Sequence, residues 1–244
     1  MTDAHCHVTG GDPGIREFLI GRDFVGVHPW ECLGQSTAVE CSRLLSGLRA
    51  ALEADSGLGV GEIGLDRLKS REISPQMREV FEMQLKLALE FNRPVVLHGA
   101  KCWGQVVKTV QGTCEQARKP RKGAFLFHGF SRSDGLIPGI VALGGYISVG
   151  PAVLNDHAVN YRELVKKIPA DRLLVETDRT VENAADCPPV AAVAAEVAKL
   201  RGVSAAELER MTDGNAEEFL GSRRELPTAI GCGRECERIA LHLV

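Results

Sequence analysis

A recurring beat of short apolar runs separated by amphipathic stretches constrains the fold of this chain more than any other feature. The runs cover residues 2–6, 18–20, 24–27, 58–63, 94–98, 124–128, 146–149 and 172–176, and most close on Gly, His, Glu or Asp. Between most of them apolar residues recur at three- and four-residue spacing, the period of a helix face. In 76–92, Val80, Phe81, Leu85, Ala88 and Leu89 make one stripe. Ser74 is placed to cap that helix, Pro75 suits its first turn, and Arg93-Pro94 ends it. Further helices are predicted at 39–54, 159–168, 189–201 and 205–211, the last with Ser204 and Glu207 in capping-box register. Strands alternating with helices imply parallel strands and right-handed crossovers. Eight runs predict a closed (β/α)₈ TIM-type barrel, which takes about 250 residues, and the chain has 244. The competing architecture, an open doubly wound sheet, normally carries a glycine-rich phosphate loop after its first strand. Here the first run ends in His5-Cys6-His7 instead.

Composition removes several function classes. A net charge of -3 speaks against a strong sequence-independent grip on nucleic acid, although it leaves room for a local basic patch. No apolar run reaches the length of a membrane span, and no basic segment leads into an apolar core at the start. Cysteines stand at 6, 32, 41, 102, 114, 187, 232 and 236 with no C-x-x-C pair, which reads as free thiols in a reducing compartment. The expectation is a cytoplasmic protein with no membrane contact and no implied protein partner. No Pro/Gly/Ser-rich linker divides the chain.

Chemistry concentrates where the runs end. His5 and His7 are two apart, so a strand points both to one side. Glu62 and Asp66 lie in Gly59-Val60-Gly61-Glu62-Ile63-Gly64-Leu65-Asp66; His98 closes the fifth run, His128 the sixth, and Asp178 follows the eighth. Each alone is an ordinary polar strand end. In a (β/α)₈ barrel, however, these ends form the functional face. Four imidazoles and two carboxylates without a thiolate suit Zn²⁺, Mn²⁺ or Mg²⁺.

With these residues in place the chain resembles the TatD-type metal-dependent deoxyribonucleases, within the wider amidohydrolase-like barrel superfamily. The matching motifs are Asp3-Ala4-His5-Cys6-His7, Gly26-Val27-His28-Pro29, Gly61-Glu62-Ile63-Gly64-Leu65-Asp66, the unit from Gln84 to His98, His128-Gly129-Phe130-Ser131, Glu176-Thr177-Asp178 and Asn215-Ala216-Glu217-Glu218-Phe219-Leu220-Gly221. The resemblance implies a phosphodiesterase acting on DNA at single strands or strand ends, with two divalent ions. His5, His7 and Asp178 would hold one ion, His98 and His128 the other, with Glu62 bridging. It also implies that Asp178 is the general base. Asp3 would either orient a ligand imidazole or cap its strand.

Departures from the family pattern fall in the substrate loops. Ala100 and Lys101 stand where an arginine is common, Gly129-Phe130-Ser131-Arg132 replaces Cys-Phe-Ser-Gly, and Arg179-Thr180-Val181 replaces Ala/Ser-Pro-Tyr. Lys101, Arg132 and Arg179 are candidate phosphate contacts. His28 and Trp30, just past the third run, are candidate substrate contacts, with packing as the other reading of Trp30 and of Trp103. A small-molecule ester, amide or lactone hydrolase on the same two metals is the alternative function.

Only 20 residues separate His7 from His28, too few for a full crossover helix and another strand. A shortened first crossover and a gap in the outer ring are therefore predicted. The barrel is assigned to 1–221 and an extension to 222–244, whose Ile239, Leu241, Leu243 and Val244 are expected to cover that gap. Metal binding through Cys232, Cys236 and His242 is the rejected alternative.

Overall fold

Every residue of β1 (Thr2–Cys6), β4 (Gly59–Asp66) and β7 (Tyr146–Val149) is buried, as parallel strands covered on both faces require. The computed structural model describes residues 1–33, 38–117 and 125–221. β1 pairs in parallel with β2 (Arg16–Leu19). A six-stranded parallel sheet follows in chain order: β3 (Phe24–Val25), β4, β5 (Val95–Ala100), β6 (Phe125–Phe127), β7 and β8 (Leu173–Val175).

Two seams join these ladders into the TIM-type ring, neither of them a continuous ladder. Between β2 and β3 there is a single parallel bridge, Ile20 to Phe24. Between β8 and β1 the Asp178 N–H donates to the His5 carbonyl at 3.0 Å, and the His7 N–H donates to that of Arg179 at 2.8 Å. No helix lies in the nine residues 7–15 between β1 and β2, so the first crossover is as short as predicted.

The predicted helices at 39–54, 76–92, 159–168 and 189–201 correspond to α1 (Ala38–Ala54), α2 (Pro75–Glu90), α5 (Val159–Lys167) and α6 (Val190–Arg201). In α2 the Ser74 hydroxyl accepts from the Met77 N–H at 3.0 Å, and the expected stripe is buried. α7 (Ala205–Leu220) begins at its Ser204 cap and runs well past 211, because Leu208, Thr212, Asn215, Ala216, Phe219 and Leu220 continue one buried face. Two helices were not anticipated. α3 (Trp103–Ala117) is rich in valine, threonine and glycine, poor helix formers, yet it buries Trp103, Val106, Val107 and Val110 at helical spacing. α4 (Ile137–Ala142) is only six residues long and contains a proline and a glycine.

Two buried layers place the functional face. The larger lies between the barrel and the helices and includes Val25, Leu97, Phe127, Ile147 and Val175 from alternate strand positions. The smaller comprises Ala4, Phe18, Phe24, Val96, Leu126, Tyr146 and Leu174 together with Ala216, Phe219 and Leu220 of α7. Strand side chains alternate with period two. Two residues beyond Val96, Leu126, Tyr146 and Leu174 therefore stand His98, His128, Ser148 and Glu176. The apolar layer is the floor of the site.

α7 closes that floor from below. Asn215 donates to the carbonyls of Ala170 and Leu173 at the entry to β8, at 2.8 and 2.9 Å. Phe219 packs on Phe18, Phe24 and Tyr146, with ring centroids 5.9–6.2 Å apart. The extension 222–244, with its expected cover for the first crossover, lies outside the described residues. Among the described residues no helix is long and apolar enough to cross a membrane. Phe219→Ala should lower the unfolding free energy by about 3–5 kcal/mol, measured by urea denaturation. A loss below about 1 kcal/mol would mean that α7 does not hold the barrel floor.

Candidate metal centre

Five imidazoles converge on one buried carboxylate. The β4–β5 ladder is irregular between Val60 and Ile63, where the Gly61–Glu62 peptide is cis, and Glu62 turns into the barrel mouth. Its Oε2 lies 3.5 Å from His5 Nε2 and 3.4 Å from His7 Nε2. Its Oε1 lies 2.6 Å from His128 Nε2, in short contact with His98 Nδ1, and 3.6 Å from His28 Nε2. The two oxygens thus face different sets of histidines. Asp178 Oδ1 stands 3.5 Å from His5 Nε2 and 3.7 Å from His7 Nε2. Burial raises the Glu62 carboxyl, but the His128 and His98 imidazoles outweigh it and hold the group well below the usual carboxylate range.

The expected residues His5, His7, Glu62, His98, His128 and Asp178 are therefore all brought together, and His28 joins them. Groups of ligand atoms within 4.8 Å of one another comprise His5, His128 and Asp178; His5, His7 and Glu62; and His28, Glu62 and His98. His28 differs from the others in its hydrogen bonding. Its Nδ1 accepts from the Trp30 N–H at 3.2 Å. In the neutral ring, which burial favours here, Nε2 then carries the proton. His28 is a donor aimed at the centre, where sequence reading placed it only among substrate contacts.

A second set of residues holds these rings, and sequence reading gave it no role. Asp66 Oδ2 lies 3.0 Å from His98 Nε2 and accepts from Trp30 Nε1 at 2.7 Å. With Nε2–H engaged, His98 presents its Nδ1 lone pair to the centre. Glu176 accepts from the Gly129 N–H at 2.7 Å and from the Ser148 hydroxyl, and its Oε1 lies 3.7 Å from His128 Nδ1. Gln84, fully buried in α2, accepts from the Val27 N–H at 2.6 Å and donates to the Val27 carbonyl at 3.0 Å, fixing the backbone beside His28. Its one visible signal is a polar residue inside the apolar stripe of α2.

Asp3 corrects an expectation. Its carboxylate reaches no imidazole among the described residues. It accepts instead from the Thr177 N–H at 2.9 Å and hydroxyl at 2.6 Å, and from the His5 N–H at 3.4 Å. Burial pushes its carboxyl up to about 7 against the lowering by Thr177. The Asp3 carboxylate thus ties β1 to Thr177, just past the end of β8.

The candidate substrate residues occupy separate loops. Lys101, Arg132 and Asp178 have φ of 57°, 60° and 50°, left-handed conformations that cost non-glycine residues strain and gather at functional sites. Arg132 lines a cavity that Lys101 and Arg179 do not reach. The Arg179 guanidinium leans toward Gly10, in the β1–β2 connection. Trp30 is 41% exposed, with Lys69 Nζ 3.1 Å from its ring centroid, whereas Trp103 is buried against Phe127 and Phe130.

The residues fit a divalent cation. His5 is fully buried with both ring nitrogens lacking a hydrogen-bond partner, and His128 Nδ1 is likewise unpartnered. Buried polar atoms are otherwise almost always satisfied, and lone pairs converging with two carboxylates are what a hard-to-borderline cation accepts.

The family model described as TatD related DNase matches residues 21–221. The "3'-5' ssDNA/RNA exonuclease TatD" of Pantoea vagans is 29% identical over 203 residues, spanning 78% of this chain and 74% of that protein. The "Uncharacterized metal-dependent hydrolase YabD" of Bacillus subtilis is 27% identical over 214 residues, 84% of this chain and 79% of that protein. In fold, the chain is similar to the crystal structure of YJJV, a TatD homolog from Escherichia coli. The TM-score is 0.71 at 22% identity, covering 90% of this chain and 97% of that one.

The family match begins downstream of β1, so the place of His5 and His7 rests on the clamp described above. Asp3→Ala leaves the Thr177 donors buried and unpaired and should cost about 1–3 kcal/mol of stability, measured by chemical denaturation. Unchanged stability would show that the clamp does not hold β1.

Proposed function

The chain belongs to the TatD related DNase family, and from that membership and the geometry above we propose that it is a metal-dependent phosphodiesterase acting on DNA at single strands or strand ends. The observation that carries the reading is the division of Glu62, one oxygen toward His5 and His7 and the other toward His98 and His128. It supports two ion positions, with His5, His7 and Asp178 at one, His98 and His128 at the other, and Glu62 between them. Two divalent ions, Zn²⁺, Mn²⁺ or Mg²⁺, would supply Lewis-acid stabilisation of the phosphoryl oxygens and ease deprotonation of a water.

The side chains supply the remainder. Asp178, half-exposed at the mouth of the site, takes the proton from the attacking water at its carboxylate. Against burial and the Glu62 charge, which raise it, His5 and His128 hold that carboxyl below its usual value. It is therefore ionised and ready to accept. His28 donates from Nε2 toward a phosphoryl oxygen, since its Nδ1 is committed to Trp30. Asp66 and Glu176 keep His98 and His128 in register. Arg132, Lys101, Arg179 and Trp30 stand on loops at the same face and supply charge and an aromatic surface to the strand. The six described cysteines are all free, which supports a reducing, cytoplasmic setting.

Purified protein should contain up to two divalent ions per chain by elemental analysis, and Glu62→Ala should retain fewer. Equal metal content in parent and variant would remove Glu62 from the bridging role. Asp178→Asn keeps the shape but loses the base, so turnover on single-stranded DNA should fall by about 10²-fold or more. Near-parental turnover would place the base elsewhere. A parallel screen of single-stranded DNA, duplex DNA, bis(p-nitrophenyl) phosphate and simple esters and lactones tests the substrate class. Hydrolysis of carbonyl esters alone would overturn the phosphodiesterase reading.

A further inference from the structure

The loops after β6, β7 and β8 enclose a cavity of about 1170 Å³ that reaches from Glu176, Thr177 and Asp178 outward to Asp134 and Lys167. It exceeds the ~300–1,000 Å³ of ordinary small-ligand pockets. Lys167 closes α5, so it lies roughly 12 Å along the helix axis from Val159, at about 1.5 Å per residue. Successive phosphates of a stacked strand advance about 3.4 Å, which makes the run a match for a few nucleotides.

The groove lining carries Arg132, Lys167 and His157 together with the carboxylates of Asp134, Glu163, Glu176 and Asp178. Three of the four are engaged along its walls, Asp134 with Lys167 at 2.5 Å, Glu163 with Lys166 at 2.6 Å and Glu176 with the Gly129 N–H and Ser148 hydroxyl, and the fourth, Asp178, belongs to the centre. The side chains of Arg132, His157 and Asn160 also line it, and none of them has a hydrogen-bond or ion-pair partner among the described residues. On the opposite rim of the centre some polar groups are bound to one another. There Trp30 donates to Asp66, and Lys69 covers the Trp30 ring. Arg132, His157 and Asn160 are thus unengaged groups on the groove side, beside Asp178.

We infer that this groove is the track for a single nucleic-acid strand, seating the few nucleotides that adjoin the scissile bond. Arg132 and His157 take phosphate oxygens, Arg132 through its fork of donors. Asn160 takes the edge of a sugar or base, and the exposed Val159 offers apolar surface beside it. A duplex end presents its second strand to the same walls, so paired substrate is the poorer ligand. The inference rests on the phosphodiesterase reading, and it adds the direction in which the strand leaves the centre.

The test is fluorescence anisotropy of the metal-loaded protein with fluorescein-labelled, all-phosphorothioate oligothymidylates of two and six nucleotides, and with a six-base-pair duplex. The parent should bind the six-mer more tightly than the two-mer or the duplex. Arg132→Ala combined with His157→Ala should weaken six-mer binding by about tenfold and flatten its salt dependence by about one phosphate contact or more. Asn160→Ala should narrow the gap between six-mer and two-mer. Lys86→Ala removes one charge on the exposed face of α2, away from the groove, and should leave binding as it was. Melting curves confirm that each variant is folded. Parental affinity in the double variant, an equal loss in Lys86→Ala, or no six-mer binding by the parent would overturn the groove assignment. Cleavage of ordinary single-stranded DNA by the parent is scored separately. Its absence would sink the phosphodiesterase reading, while the anisotropy result still decides the groove.

Discussion

The structure depends on keeping one carboxylate ionised inside a barrel. An isolated charge at the depth of Glu62, which is 4% exposed, would carry a desolvation cost of several kcal/mol. It is tolerable here because imidazoles from β1, β5 and β6 and from the end of β3 point at it, and because divalent cations suit the same donors. Three of those rings have a neighbour outside the centre: Asp66 on His98, Glu176 beside His128, Trp30 on His28. The barrel is thus a device for aiming lone pairs, and its apolar floor at Val96, Leu126 and Leu174 sets the height at which they meet.

The functional loops add a different kind of order. Lys101, Arg132 and Asp178 are held in left-handed backbone at three strand ends. A conformation disfavoured for those residue types persists because the surrounding structure leaves no other. For Asp178 the restraint is explicit: its N–H is bonded to His5, its carbonyl to Asn183. Asp178 is thus rigidly placed, while Arg132, His157 and Asn160 of the neighbouring groove are left without side-chain partners among the described residues.

Much of this was legible from residues alone, for identifiable reasons. Parallel strands covered on both faces are buried along their whole length, so the runs at 2–6 and 146–149 coincide with β1 and β7. His5, His7, Glu62, His98, His128 and Asp178 interrupt apolar runs at their ends, a pattern that few structural needs produce. α3 was invisible because its valines and threonines argue for strand while its burial comes from packing on the barrel. Gln84 hides in a stripe that otherwise reads as core. The donor role of His28 depends on which of its nitrogens Trp30 occupies, and no spacing rule encodes a tautomer. Asp3 looked like a partner for an imidazole because it lies two residues from His5. Its real partner, Thr177, lies 174 residues away.

That separation has a consequence for how the molecule comes into being. The first strand waits at the seam until the last strand is made, since Asp3 meets Thr177 and His5 meets Asp178 only across almost the whole described chain. Contacts of such sequence distance form late and slow the search for the native state. Until β8 is made, β2 is the one strand of the ring that β1 can pair with. A chain that stops before Asp178 lacks that carboxylate and the seam together. Closure of the seam and arrival of Asp178 beside His5 thus depend on the same late contacts.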